Sequence, residues 1–469
     1  MQNPYYSKTF VTCPIFNPCK QMKQPLRLLA LLGLFSLLSA CTKDDIRPED
    51  DSNLPLNERM NKFIESQMKD IYFWAEKVKN TKVSRNQEPE EFLKAIRYSE
   101  DLWSSLEEND TETRSSLDGK VKTFGYQIQF YQINDSLVGG MIQYVYKGSP
   151  AEKAGLMRGD MILANNGELL NLNNYTRILT DEQVVLKTCL LYQDTLFISK
   201  QEYALSQEVL EQDPVLLDTV LSVGDKKIGY LVYCQFFDDH STSLPRLSQA
   251  IGRMKTAAID EFILDLRYNP GGAETAARHL GSLLAPANNV RNEDILIRKQ
   301  WNPTYQRKYF SEQSLTRFDS EVLADNLDLR RIYILTGGNT ASASEVVISG
   351  LRPYLSEMIL IGSETYGKYV GMSQIIPPSD LQKWTFWPVT FAYTNANGES
   401  VKGGIAATYT IQEYSNFLPP FGDPRDPLLG KALELIGGNQ PVIASRSLPA
   451  PAISWKPLKS ATRPLLLCQ

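Results

Sequence analysis

The sequence predicts an α+β protein of several domains: a small N-terminal helical region, a β-rich module and an α/β core. Three observations carry this reading. Between Asn57 and about Ser105 the apolar residues Met60, Phe63, Ile64, Met68, Ile71 and Phe73 recur near helical spacing. Alternation begins near Lys120 and is cleanest in Gly125-Tyr-Gln-Ile-Gln-Phe130, the pattern of a half-buried strand. Beyond about residue 225, apolar strands run into glycine-rich turns and then into helices, as an α/β core requires.

Length and composition set the limits. The chain has 469 residues, with 42% hydrophobic and 22% charged content, as in an ordinary globular protein. Its formal net charge of −5 offers no electrostatic footprint for nucleic acid, so none is expected as a partner. The segments expected are a leader at 1–40 (with Met22 a better start than Met1), a linker at 41–56, the helical region at 57–119, the β-rich module at 120–205, the core at 206–440 and a tail at 441–469.

The N-terminus reads as a targeting segment. Lys20, Lys23 and Arg27 precede the apolar run Leu28 to Leu38, and Leu38-Ser39-Ala40-Cys41 follows. A basic region, a short apolar stretch and small residues before a cut site describe a secretory signal. The Ser-Ala-Cys ending resembles the lipobox of bacterial lipoproteins, which implies that Cys41 carries lipid and becomes the mature first residue. Thr42-Lys43-Asp44-Asp45 resembles the export signal of some surface-displayed lipoproteins; a charged tether accounts for it equally. The expected location is the cell envelope of a Gram-negative-type bacterium, as an outer-membrane lipoprotein facing the periplasm or the surface. Cys13 and Cys19 fall in the leader, and Cys189, Cys234 and Cys468 are widely spaced. No disulfide framework and no metal-ligand spacing emerges, so neither a metal nor another cofactor is expected.

In the β-rich module stands Lys147-Gly-Ser-Pro-Ala-Glu-Lys-Ala-Gly-Leu-Met-Arg-Gly-Asp-Met-Ile-Leu-Ala164. Ser149 suits an N-cap, Pro150 the first helical turn and Gly155 the helix end. With its "GSPAEKAGL" helix, "GDMIL" strand and "NNG" turn, this segment resembles a PDZ domain. That fold binds a peptide C-terminus as an added strand, with backbone amides capturing the carboxylate. By position the capturing loop is Phe124, Gly125 and Tyr126, where Gly125 lets the backbone approach a ligand or simply makes a turn.

The chemistry concentrates in the core. Glu261-Phe-Ile-Leu-Asp-Leu-Arg267 is an apolar strand that leads into Tyr268-Asn269-Pro270-Gly271-Gly272 and an alanine-rich helix. Exposed amides at such a turn suit an anion, whether a phosphate or the oxyanion of acyl transfer. A second unit repeats the arrangement: strand Arg331 to Thr336, turn Gly337 to Thr340, and a helix containing Ala341-Ser342-Ala343-Ser344-Glu345. A serine at a strand-to-helix turn is presented outward. The strand Met358 to Gly362 is followed by Ser363-Glu-Thr-Tyr-Gly-Lys368, and a lysine on such a loop loses its proton if buried.

The stretches "LDLRYNPGG", "TASASE" and "GSETYGK", in this order behind a PDZ-like segment, resemble the carboxyl-terminal processing (tail-specific) peptidases. This resemblance covers roughly residues 57–440. It implies a crotonase-like catalytic core, Ser342 as nucleophile, Lys368 as general base, and an oxyanion hole made by the Ala343 amide with that of Gly271 or Gly272. The 26 residues from Ser342 to Lys368 are one more than the family pattern. Where the family often has a glutamine four residues after its lysine, this chain has Met372, so the lysine-orienting residue is Gln374 or Ser373. Ser344 is the alternative nucleophile, less suited because it lies inside the helix proper. A histidine base has only His240 and His279 to draw on, and of these His279 is the realistic rival. The function expected is a serine endopeptidase that acts on exported polypeptides recognised by their C-termini. The alternative is a peptide- or apolar-ligand-binding lipoprotein without catalysis.

Overall fold

The computed structural model describes residues 53–78, 83–108, 118–192, 195–309, 314–413, 417–438 and 455–458. The leader, Cys41 and the charged run after it lie outside the described residues. No helix among the described residues is long and apolar enough to cross a membrane.

The N-terminal stripe does form a helix, Leu56–Asp70, joined by a second helix, Pro89–Ile96, with a proline in its first turn. Asn61 is buried and donates to the Arg85 and Gln87 carbonyls at 2.7 and 2.8 Å, which pins the loop between the helices. Met60, Ile64, Met68, Phe92, Leu93 and Ile96 bury against Val370, Met372, Trp384, Phe386 and Trp387. The region is not helical throughout. Strand Ser105–Glu108 pairs antiparallel with Trp384–Trp387, so this part of the chain is a roof over the strand that follows Lys368. Periodicity shows that a face is buried but not against what, which is why the roof is invisible in the sequence.

The β-rich module is built on a sheet with the order Lys456–Pro457, Tyr126–Gln132, Val138–Val145, Met161–Asn165, Gln183–Tyr192, Thr195–Ile198, with Tyr203–Ser206 branching from Gln183–Tyr192. Its short helix Pro150–Ala154 is capped as the sequence implies. Ser149 Oγ accepts from the Glu152 amide, Pro150 opens the helix, and Gly155 closes it in the left-handed region at φ 92°. A separate two-stranded ribbon pairs Lys120–Thr123 with Glu208–Glu211, just past the expected end of the module at 205. A strand's partner is set by register and not by local pattern, so this pairing is not legible in the sequence.

The core holds a six-stranded sheet in the order Val215–Val223, Lys226–Tyr233, Glu261–Asp265, Arg331–Thr336, Glu357–Gly362, Tyr409–Thr410. The first pair is antiparallel and the rest are parallel. Helices Ser243–Thr256, Glu274–Leu284 and Ala343–Leu351 bury their apolar faces in one cluster with the sheet, and helix Pro427–Gly437 packs in another. A four-stranded antiparallel sheet, Leu315–Arg317, Ile295–Trp301, Val389–Asn395, Val370–Met372, lies beyond the first cluster. Parallel strands end at a common edge, and in the central sheet that edge leads into the turns at Tyr268–Gly272, Gly337–Thr340 and Ser363–Lys368.

A buried charge network ties the module to the core. Arg267 donates to Asp265 (2.9 Å), Asp426 (2.7 Å) and Glu413 (2.9 Å). Arg158, next to the turn that opens Met161–Asn165, donates to the Tyr268 hydroxyl (2.7 Å), the Pro419 carbonyl (2.8 Å) and Glu413 (3.1 Å). Burial alone raises the Asp426 pKa, but Arg267 and Arg158 outweigh it and hold the carboxyl below its ordinary value. The stability this gives is present above the ordinary carboxylate range and is lost as pH falls through the depressed pKa. Replacing Arg267 by alanine strands two buried carboxylates, and we expect a loss of about 3–5 kcal/mol in denaturant unfolding at neutral pH. A loss below about 1 kcal/mol, the size of an ordinary substitution, contradicts this account.

Candidate active site

The turn Tyr268–Gly272 is fixed by one side chain. Asn269 is fully buried, donates to the Tyr233 carbonyl and accepts from the Gly271 amide, each at 2.9 Å. Both glycines have positive φ, 105° at Gly271 and 140° at Gly272. Neither position has room for a side chain. A Cβ on Gly272 falls 2.0 Å from the Phe236 carbonyl oxygen, and one on Gly271 falls 2.7 Å from Ser342 Cβ. The turn therefore lies directly against Ser342. The Gly271 amide is engaged by Asn269, whereas the Gly272 amide has no acceptor among the described residues.

Ser342 precedes helix Ala343–Leu351, with φ 57° and ψ −115°. A positive φ at a residue with a Cβ is strained, and strain of this kind at a strand-to-helix turn aims a serine away from the backbone. The residue is fully buried, and its Oγ has no hydrogen-bond partner among the described residues. Ser344 differs, since its hydroxyl donates to the Asn269 carbonyl at 3.0 Å. Ala343 is the first helical residue, so its amide has no acceptor within the helix. Thr340 joins the two turns by donating to the Leu266 carbonyl (2.8 Å) and accepting from the Gly337 amide (2.9 Å).

Lys368 lies between strands Glu357–Gly362 and Val370–Met372 and is fully buried. Its Nζ is 3.9 Å from the Met372 thioether, a weak acceptor. Burial of an amine disfavours its charged form. Gln374 is half-buried, two residues beyond that thioether. Ser373 shares a 2.7 Å hydrogen bond with Thr390, which commits its hydroxyl elsewhere.

Two further residues hold Ser342 and Lys368 together, and motif reading assigned neither a role. The Glu345 carboxylate is buried and accepts four hydrogen bonds: Oε2 from the Ser342 and Lys368 amides at 2.9 Å each, and Oε1 from the Gly367 amide and the Thr365 hydroxyl at 2.6 Å each. Burial raises its pKa above the ordinary carboxylate value, partly offset by these hydrogen bonds. From another side the Tyr393 hydroxyl donates to the Lys368 carbonyl at 3.0 Å and lies 3.4 Å from that of Ser342. Burial pushes the phenol pKa well up, so Tyr393 remains a donor. A signal for Glu345 existed in the Ser-x-x-Glu spacing at a helix start. Tyr393 left none, being a strand residue remote in sequence.

The histidines lie elsewhere. His240 is exposed. His279 Nε2 pairs with Ser248 Oγ at 2.8 Å, and burial lowers its pKa. In the β-rich module the Phe124 and Tyr126 rings are buried and stacked, with centroids 5.5 Å apart. Gly125 has φ 84° and packs so tightly on the helix cap that a Cβ would fall 2.1 Å from Ser149 Cβ. Its amide donates to Thr123 Oγ1 at 3.0 Å, so a carboxylate captured by that amide must displace this hydroxyl.

Family models match three parts of the chain: peptidase family S41 over residues 227–411, the peptidase S41 N-terminal domain over 59–105, and a PDZ domain over 141–189. The chain is 26% identical over 346 residues to the carboxyl-terminal-processing protease of Synechocystis sp., a match covering 72% of this chain and 74% of that one. It is 27% identical over 268 residues to the carboxy-terminal-processing protease of Bartonella bacilliformis, over 56% of each chain. A crystal structure from Bacteroides fragilis, described as an S41 protease by assignment, superposes with a TM-score of 0.67 at 28% identity, over 80% of this chain and 97% of that one. The chain belongs to peptidase family S41, as a serine-type peptidase that carries a PDZ domain.

Proposed function

We propose that this peptidase works by a Ser–Lys mechanism on polypeptides whose C-termini its PDZ domain binds. The observation that carries the reading is Ser342, strained, buried and without a partner for its hydroxyl, on the same carboxylate clamp as the buried Lys368. In the proposed reaction neutral Lys368 Nζ takes the Ser342 Oγ proton as the oxygen attacks the scissile carbonyl. The Gly272 and Ala343 amides stabilise the oxyanion, and the ammonium then protonates the leaving amine. Water hydrolyses the acyl-enzyme with Lys368 again as base. Gln374 is the proposed orienting residue for the amine. Gly272 is preferred to Gly271 because its amide is not committed to Asn269.

A serine-reactive fluorophosphonate should label the wild-type chain and not Ser342→Ala, with unchanged melting of the variant. Labelling that persists redirects the assignment to Ser344. Peptides with a free C-terminus should be cleaved faster than their amides, chiefly through binding, because amidation removes the charge the module would capture. Equal rates rule out tail recognition without touching the peptidase chemistry.

We also propose lipid attachment at Cys41 and residence in the cell envelope, on the Leu38-Ser-Ala-Cys41 pattern. Cys41→Ser should then shift the protein from the membrane to the soluble fraction or block its maturation. Unaltered partitioning removes the proposal.

A further inference from the structure

The segment Trp455–Leu458, beyond the catalytic domain, lies along the edge of the PDZ domain that a bound peptide would use. It pairs antiparallel with strand Tyr126–Gln132, with Lys456 opposite Gln132 and Pro457 opposite Tyr131. The Leu458 amide donates to the Phe130 carbonyl, and Gln129 Nε2 donates to the Leu458 carbonyl, each at 2.9 Å. Rising residue number carries the segment from the far end of that strand toward Gly125. A peptide that brings its carboxylate to the Phe124–Tyr126 loop must run the same way.

Its side chains divide between the two faces of the sheet, as an odd separation in a strand requires. Trp455 is buried in a cluster with Met141, Met161, Leu163, Cys189 and Leu418. Leu458 packs on the domain's other cluster, to which Phe130 belongs and beside which Tyr175 and Leu179 of the short helix region lie. Lys456 and Pro457 are exposed. Without this segment Tyr126–Gln132 is the outer strand of the sheet.

We infer that residues 455–458 occupy the peptide edge of the PDZ domain in cis, so that an incoming polypeptide tail binds only by displacing them. The edge then selects extended peptides with an aromatic residue three positions before an aliphatic one, as Trp455 and Leu458 are. The competitive part rests on the reading that this domain binds substrate tails. The energetics suit a displaceable occupant. Tethering gives the segment a high effective concentration, while its described hold is short. An edge occupied most of the time weakens ligand binding in proportion to the fraction that is open.

The test uses the full chain and Leu458→Asp, a half-buried position where a charge opposes docking, with Leu458→Ala as a milder variant should the aspartate disturb folding. Two labelled peptides serve as probes in fluorescence anisotropy: an amidated copy of residues 453–460, and an unrelated peptide with a free C-terminus. Hydrogen exchange is followed at the amides of Tyr126–Gln132. The copy should bind Leu458→Asp on the order of tenfold tighter than the wild type, and exchange along the strand should rise in the variant and fall when the copy is added. Equal affinity of the copy for both proteins overturns the inference, as does unchanged exchange. If the copy binds the opened variant and the free-carboxylate peptide binds neither protein, the occupied edge stands and tail recognition falls.

Discussion

Lys368→Arg is expected to reduce peptide hydrolysis by on the order of 10⁴-fold, as far as Lys368→Ala does, because the proposed base must be able to lose a proton. Arginine keeps the charge and nearly the length but remains protonated in any accessible buffer. Lys368 is fully buried, and loss of solvent by itself disfavours the charged form of an amine. Activity of the wild type should accordingly rise with pH and level off once Lys368 is neutral. Histidine plays no part in that profile on this account. His279 is bonded to Ser248, and burial holds its pKa below the ordinary value. His279→Gln should leave the pH–rate curve in place. A Lys368→Arg enzyme that hydrolyses peptides at a tenth of the wild-type rate or better removes lysine as the base. The region around His279 would then need to be searched.

What could be read in advance was whatever is written locally. The cap at Ser149, the stop at Gly155, the glycine pair at 271 and 272 and the serine at a strand-to-helix turn each depend on a few adjacent residues. Features that depend on remote partners left no trace. The roof strand Ser105–Glu108 meets Trp384–Trp387, and the segment at 455–458 meets Tyr126–Gln132, across hundreds of residues of chain. Alternation predicts a strand and its buried face but never its neighbour. Spacing leaves Gly125 either as a close backbone approach to a ligand or as a turn glycine, and it does not show that Thr123, two residues away, holds the Gly125 amide. A side chain's competition for a backbone amide depends on rotamer and loop shape, which spacing does not reveal. Gly271 and Gly272 were equivalent in sequence until the Asn269 side chain distinguished them.

Glu345→Gln carries the second large effect, and it tests why Ser342 and Lys368 meet at all. The two residues arrive on different strand-to-loop connections, and Glu345 Oε2 accepts from both of their amides while Oε1 holds Gly367 and Thr365. A carboxylate can accept on both oxygens, whereas a carboxamide presents a donating NH₂ on one side. Thr365 can answer by rotating its hydroxyl, but a backbone amide cannot, so at least one buried N–H is left facing a donor. An orphaned buried donor costs about 1–3 kcal/mol, and hydrogen bonds to a charged acceptor are lost as well. The lysine loop should relax away from the serine, and a shift near 1 Å in such a site lowers turnover on the order of 10²-fold. The signature of a positioning residue is a fall in kcat with little change in peptide binding, since the PDZ domain is built from other strands. Glu345→Asp, which keeps the charge on a shorter arm, should recover part of the lost rate while Glu345→Gln does not. A folded Glu345→Gln enzyme with more than half the wild-type kcat shows that the Tyr393 bridge alone holds the lysine loop against the serine.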